Sequence, residues 1–161
     1  MKYLKAGDTI SGQEVVAKIT VKNLDGQKVK ETMFWAKDLE ATIEVEKTEV
    51  RTIGKRGIQN KPTGWTGSGS MNIYYVTSLF RRMMLQYIKT GVPVYFDMTI
   101  TNEDPGSSIG KQTTALKNCT LNSINIAKFD AESEVLEESV DFTFDDVDIL
   151  EVFEKPTLGK A

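Results

Sequence analysis

The sequence predicts a mainly β domain, a small barrel or sandwich of about seven strands with one packed α-helix. Apolar and polar residues alternate in several short segments, one stretch alone changes to helical spacing, and turn-forming residues separate the segments. A length of 161 residues fits one domain with a real core, and 40% hydrophobic with 27% charged residues is ordinary globular composition.

Residues 1–15 are polar, contain Gly7 and Gly12 and keep no period, which predicts an extended arm that a partner orders. Val15, Ile19 and Val21 then alternate with polar residues, and Asp25-Gly26 is a favoured hairpin-turn pair, predicting 17–22 against 28–36. Over 39–51, Ala41, Ile43 and Val45 alternate with Thr42, Glu44 and Glu46. Glu40, Glu44 and Lys47 also fit helical spacing, but β-branched Thr42, Ile43, Val45, Thr48 and Val50 favour a strand. Residues 51–70 hold five glycines and one proline, which predicts a long exposed connection, a Gly-rich loop over 51–68. It carries Arg51, Lys55, Arg56 and Lys61 and lacks the spacing of a nucleotide-binding loop.

Residues 65–76 read as a strand with Met71, Ile73 and Tyr75 in alternation, and the small residues of 66–70 allow a close neighbour or a bulge. Leu79, Met83 and Tyr87, with Phe80, Met84 and Ile88, recur at i and i+4. This predicts a helix over 77–90, capped at Thr77 or Ser78 and stopped by Gly91 and Pro93. Residues 94–101 alternate again before the turn residues of 102–108. Segment 109–129 forms one long or two short strands with an irregularity near Asn122 and Ser123. An acidic loop follows over 130–138, then a core strand over 139–144 with Val140, Phe142 and Phe144 on one face. Val147, Ile149, Val152 and Phe153 offer a further edge before Pro156 and a loose end.

Charge is distributed unevenly. Basic and acidic side chains number 12 and 9 in residues 1–61, 6 and 3 in 62–129, and 2 and 11 in 130–161, within a net charge of −3. The acidity is concentrated in segment 130–154, which would repel a polyanion and complement a basic neighbour. No apolar run is long enough to span a membrane, and Lys2, Lys5, Asp8, Glu14 and Lys18 stand where a signal peptide needs an apolar core.

The composition offers poor material for catalysis. There is no histidine and one cysteine, Cys119, which excludes tetrahedral zinc, Cys-His nucleophiles and the histidine-dependent serine triad. Glu103 with Asp104, and Asp145, Asp146 with Asp148, stand beside turns and lack calcium-loop spacing. The reading is a non-enzymatic domain that acts through surfaces shown to other subunits. The alternative is a nucleic-acid-binding small β-barrel module using the basic loop with Trp65, Tyr74 and Tyr75, opposed by the negative balance.

The stretches GSMNIYYVTSLFRRMMLQYIKTG (69–91), VYFDMTITNEDPGSSIGKQTTALKNCTLN (94–122) and VDFTFDD (140–146) resemble the tail tube proteins of contractile-tailed bacteriophages and of defective prophages in Gram-positive bacteria. The resemblance implies a barrel or sandwich closed by a helix, related to the tube proteins of other contractile injection machines. It further implies hexameric rings stacked into a hollow, DNA-conducting tube within a virion tail, assembled in the host cytoplasm with sheath and baseplate proteins, and no cofactor. On that basis Arg51, Lys55, Arg56, Lys61 and Trp65 are the expected subunit contacts, with acids of 130–151 on a neighbour as counterparts. Asp97, Glu103 and Asp104 are the expected lumen-facing acids. A tube subunit of a bacterial secretion machine is the alternative within the same architecture.

Overall fold

The computed structural model describes residues 1–161. In chain order the strands are Lys2–Tyr3 (β1), Val15–Leu24 (β2), Gln27–Thr32 (β3), Ala36–Val50 (β4) and Gln59–Tyr74 (β5), then Phe96–Glu103 (β6), Lys111–Ser123 (β7), Glu137–Phe144 (β8), Asp146–Glu151 (β9) and Gly159–Lys160 (β10). One α-helix, Leu79–Thr90 (α1), follows β5, and a short 3-10 helix spans Ala6–Asp8. The mainly β architecture with a single packed helix is the expected one.

The main sheet runs β3-β2-β6-β7-β8-β5-β4, with β9 added on β7. β8 and β9 keep one register on β7, since Thr120 pairs with Thr143 and Lys117 with Asp146. Asn118, at φ 52°, interrupts that ladder. The sheet curls because residues 33–35 bridge its two ends: Met33 N–H donates to Ala17 O (2.8 Å) on β2, and Tyr74 N–H of β5 donates to Trp35 O (2.9 Å).

Inside the curl, alternate residues of each strand form one core, including Ile19, Val21, Met71, Ile73, Phe96, Met98, Val140 and Phe142. Leu79, Phe80 and Met83 close it from the first half of α1, whereas Tyr87 and Ile88 of the same predicted stripe are exposed. Aromatic rings run through the core from the helix outward: Trp35 to Phe80 (5.4 Å), Phe80 to Phe96 (6.2 Å), Phe96 to Phe142 (6.4 Å) and Phe142 to Phe144 (6.5 Å). Each such pair contributes about 0.5–1.5 kcal/mol beyond its buried area. The helix ends at Gly91 (φ 73°), whose N–H donates to Tyr87 O.

Four segments differ from expectation, the first being 124–129, which lies beyond the end of β7 at Ser123 and not in a strand. The Gly-rich loop of 51–68 is confined to 51–58, because β5 begins at Gln59 and pairs with β4 along its whole length. Pro62 is accommodated where the β4–β5 register shifts, between Glu46 and Lys47. Residues 1–15 are not a free arm, and the end beyond Pro156 is not loose: β1 pairs with β10, and Asp8 is buried between them and the β6–β7 turn.

Candidate assembly surfaces

The most prominent surface is the outer half of the β4–β5 hairpin. β4 and β5 pair from Ala36↔Ile73 to Val50↔Gln59, whereas β8 covers β5 only from Gly67 to Tyr74. Residues 59–66 of β5, with their partners on β4, therefore project about 25 Å past β8 at about 3.3 Å per residue. A two-stranded ribbon of this kind is marginal by itself in water. The pairing register gives it two unlike faces. Val45 opposes Trp65 at its base and Ile43 opposes Gly67 where the cover of β8 begins, and Ile43, Val45 and Trp65 remain 46%, 49% and 42% exposed.

At the root of the hairpin two glycines let aromatic rings lie flat on the sheet. Gly67 opposes Phe144 and Gly69 opposes Phe142. A Cβ on Gly69 would stand 2.4 Å from Phe142 Cζ and 2.8 Å from Glu40 O, and one on Gly67 would stand 2.4 Å from Phe144 Cε2. Trp65 lies 6.2 Å from Phe144 and extends the aromatic row to the base of the projecting part.

The opposite face of this region is acidic and hydroxylated. Register places Asp38, Glu40, Thr42, Glu44 and Glu46 of β4 beside Asn72, Ser70, Ser68 and Thr66 of β5, and Asp141 and Thr143 of β8 continue the row. From Asp38 to Glu46 that face carries no lysine or arginine. Its polar groups bond to one another: Asn72 Nδ2 donates to Asp38 Oδ1 (3.0 Å), Ser139 Oγ to Asn72 Oδ1 (2.7 Å) and Ser123 Oγ to Asp141 Oδ2 (3.3 Å).

The basic residues singled out in the sequence gather on the hairpin. Arg51, Lys55 and Arg56 lie at its tip, and Lys61 is on β5 beside Thr48. None of the four takes part in an ion pair within the chain. Among the acids of 130–151, Glu137 pairs with Lys37 (2.7 Å), Glu138 with Arg81 (2.8 Å), Asp148 with Lys117 (2.5 Å) and Glu151 with Lys111 (3.2 Å). Asp130, Glu132 and Glu134 occupy the exposed connection 124–136 and form no ion pair.

Asp97 and Glu103 lie on β6 and Asp104 in the turn that follows it, in different surroundings. Asp97 of β6 accepts from Asn118 N–H (2.9 Å) and sits 3.4 Å from Lys22 Nζ. Glu103 opposes Lys111. Asp104 organises the β6–β7 turn, accepting from Gly106 N–H (2.8 Å) and Ser11 N–H (2.9 Å). Sequence reasoning missed the acidic face of β4, although the period-two placing of Glu40, Thr42, Glu44 and Glu46 was the signal for it.

The chain is thus a curled sheet closed by one helix, with a long ribbon that carries exposed apolar side chains and unpaired cations into solvent. The chain belongs to the phage tail tube protein family, matched over residues 2–151. It is 39% identical over 148 residues to the phage-like element PBSX protein XkdM of Bacillus subtilis (strain 168), a match spanning 92% of this chain and 95% of that one. In fold it resembles a chain of the sheath-tube complex of the extracellular contractile injection system PVC in its extended state, with a TM-score of 0.63, 16% identity and coverage of 91% and 95%. It also resembles a chain of the anti-feeding prophage tube-terminating cap, with a TM-score of 0.65, 14% identity and coverage of 91% and 94%. A tail tube subunit is the role these findings support.

Proposed function

We propose that six copies close into a ring, that rings stack into a hollow tube through the projecting β4–β5 hairpin, and that DNA passes along the lumen. The observation that carries this reading is the hairpin itself. Ile43, Val45 and Trp65 stay over 40% exposed although Trp65 touches Phe144, the four cations form no ion pair within the chain, and burying such a face against another copy removes apolar area from water at about 25 cal/mol per Å². Ring closure needs heterologous contacts, one surface against a different one, and the basic tip and the acidic connection 124–136 are surfaces of opposite charge.

For the lumen we assign the face bearing Glu40, Glu44, Glu46 and Asp141, in place of Asp97, Glu103 and Asp104. A polyanion moves freely past carboxylates and hydroxyls, whereas a basic wall would hold it through released counterions. Asp97 has Lys22 beside it and Asp104 is engaged in a turn, so neither supplies a comparable field. In this reading the chain has no catalytic role. It acts in the tail of a phage or phage-like particle assembled in the host bacterial cytoplasm, inside a sheath and on a baseplate.

The test replaces residues 51–58 with an Asn-Gly turn. The shortened chain is expected to keep its thermal midpoint and to lose tubes in negative-stain electron microscopy, since the deleted residues lie outside the core. Tubes of normal length from the shortened chain would overturn the stacking role. Salt-sensitive binding of duplex DNA by the unassembled wild-type chain would instead favour the nucleic-acid module.

A further inference from the structure

Residues 1–8 form a unit that is separable from the core. The apolar core begins at Ile19, and Tyr3 and Leu4 remain more than half exposed. Apart from those within the unit and those from Thr9 to Ala6 O, the hydrogen bonds of residues 1–8 go to the β6–β7 turn and to residues 157–161. β1 pairs with β10 through Lys2↔Lys160 and Tyr3↔Gly159, and Ala161 N–H donates to Met1 O (3.1 Å). The Tyr3 ring covers Gly159, where a Cβ would stand 2.5 Å from Cζ. Ser108 N–H donates to Gly7 O (2.9 Å).

Asp8 is the anchor of the unit. Its carboxylate accepts from Ser108 Oγ (2.6 Å), Thr157 Oγ1 (2.9 Å), Thr157 N–H (3.2 Å) and Leu158 N–H (3.2 Å), besides Lys5 N–H (3.0 Å) within the unit. Of the receiving groups, Ser108 belongs to the β6–β7 turn, and the segment leading to Thr157 and Leu158 is tied to the body where Glu154 N–H donates to Ile109 O (2.7 Å). The connecting residues 9–14 are mostly exposed, and Gly12 has open space where a side chain would be. Six residues extend to about 20 Å, which sets how far Asp8 can reach from the start of β2.

We propose that residues 1–8 are exchanged between copies in the tube, the unit of one chain occupying the Ser108, Thr157 and Leu158 site of the next. This rests on the tube reading above. An identical unit from another copy restores every hydrogen bond of Asp8, so the cost of exchange is confined to the connection 9–14, where Ser11 N–H donates to Asp104. Copies packed in a wall present that site at high effective concentration, whereas a dilute free chain closes on its own unit. Donor and acceptor are different surfaces of one chain, so exchange runs head to tail and links copies in series.

The test is the double variant Lys2→Cys with Lys160→Cys, tubes and dilute free chain being oxidised and run on non-reducing gels. Antiparallel partners stand about 4.5–5.5 Å apart at Cα, inside the range a disulfide bridges. Cys119 does not compete, because it is buried and burial pushes its thiol up to about 12. Exchange predicts that most of the tube protein runs as a reducible ladder beyond the dimer, that the dilute chain gives one intrachain band, and that either single variant gives dimers at most. Only intrachain bands from particles seen as tubes would overturn exchange and leave the tube reading intact. Should the wild-type chain form no tube under the same conditions, that reading fails separately. The ladder is then read on the chain at millimolar concentration, where interchain series support exchange and intrachain bands alone overturn it.

Discussion

Arg81 reaches both carboxylate oxygens of Glu138, with Nη1 2.8 Å from Oε2 and 3.0 Å from Oε1. The Glu138 side chain is fully buried, and the Arg81 guanidinium also stacks over Tyr75 at 4.3 Å and donates to the carbonyls of Asn125 and Thr77. One side chain thus joins the start of α1, the connection 124–136 and β8. Arg81→Ala is expected to cost about 3–5 kcal/mol in urea unfolding, because it leaves a buried carboxylate without its partner. The double variant Arg81→Met with Glu138→Leu should lose less than Arg81→Ala. Equal losses would show that the pair's value lies in packing and not in charge.

The glycines under the rings make a second prediction. Gly69→Ala forces a methyl group into Phe142 and Glu40 O and should destabilise by about 1–3 kcal/mol or more. Gly64→Ala, whose nearest neighbour is the flexible end of Glu46 at 3.9 Å, should change the denaturant midpoint little. Indistinguishable midpoints for the two variants would show that the sheet yields to the added methyl.

Acid unfolding reports on Asp8. Its hydrogen bonds, that from Ser108 foremost, hold the carboxyl well below the usual carboxylate range. The folded-state pKa lies below the unfolded value of about 3.9, so the stabilisation is complete above about pH 5 and is lost as pH falls toward the folded-state pKa. Asp8→Asn should lower the thermal midpoint at neutral pH and flatten its decline below pH 4. Parallel curves for wild type and variant would contradict this.

Charge at the hairpin tip is expected to set assembly, not folding. Arg51→Gln, Lys55→Gln and Arg56→Gln together should leave the thermal midpoint unchanged and raise the concentration needed for tubes, since each exposed pair is worth about 0–1 kcal/mol. Sedimentation across a salt series should show wild-type assembly weakening with salt and the variant responding less. An unchanged salt response would remove the tip from the contact.

Much of the fold is legible in the sequence because its local signals agree with the packing. Val140, Phe142 and Phe144 alternate and are all buried, and Asp25-Gly26 makes the β2–β3 turn with φ 51° and 80°. The i, i+4 stripe ends at Gly91, as helical spacing and a C-terminal glycine require. The hairpin was illegible because glycine density has two causes. Gly54 serves a turn at φ 88°, whereas Gly67 and Gly69 sit in a strand beneath rings from residues 142 and 144, distant in sequence. The role of Asp8 was hidden likewise, since its partners Ser108 and Thr157 are brought to it by the tertiary fold alone. Charge alone marks Asp97 and Asp104 in the sequence, and only the fold brings Lys22 beside the one and a turn N–H to the other.

The measurement that bears most directly on the central claim is a cryo-electron microscopy reconstruction of tubes grown from the purified chain. The account predicts six-fold rings with Glu40, Glu44, Glu46 and Asp141 on the channel wall and the β4–β5 hairpin reaching the adjacent ring. A filament without a channel, or a closed ring with those four acids on its outer surface, would contradict it.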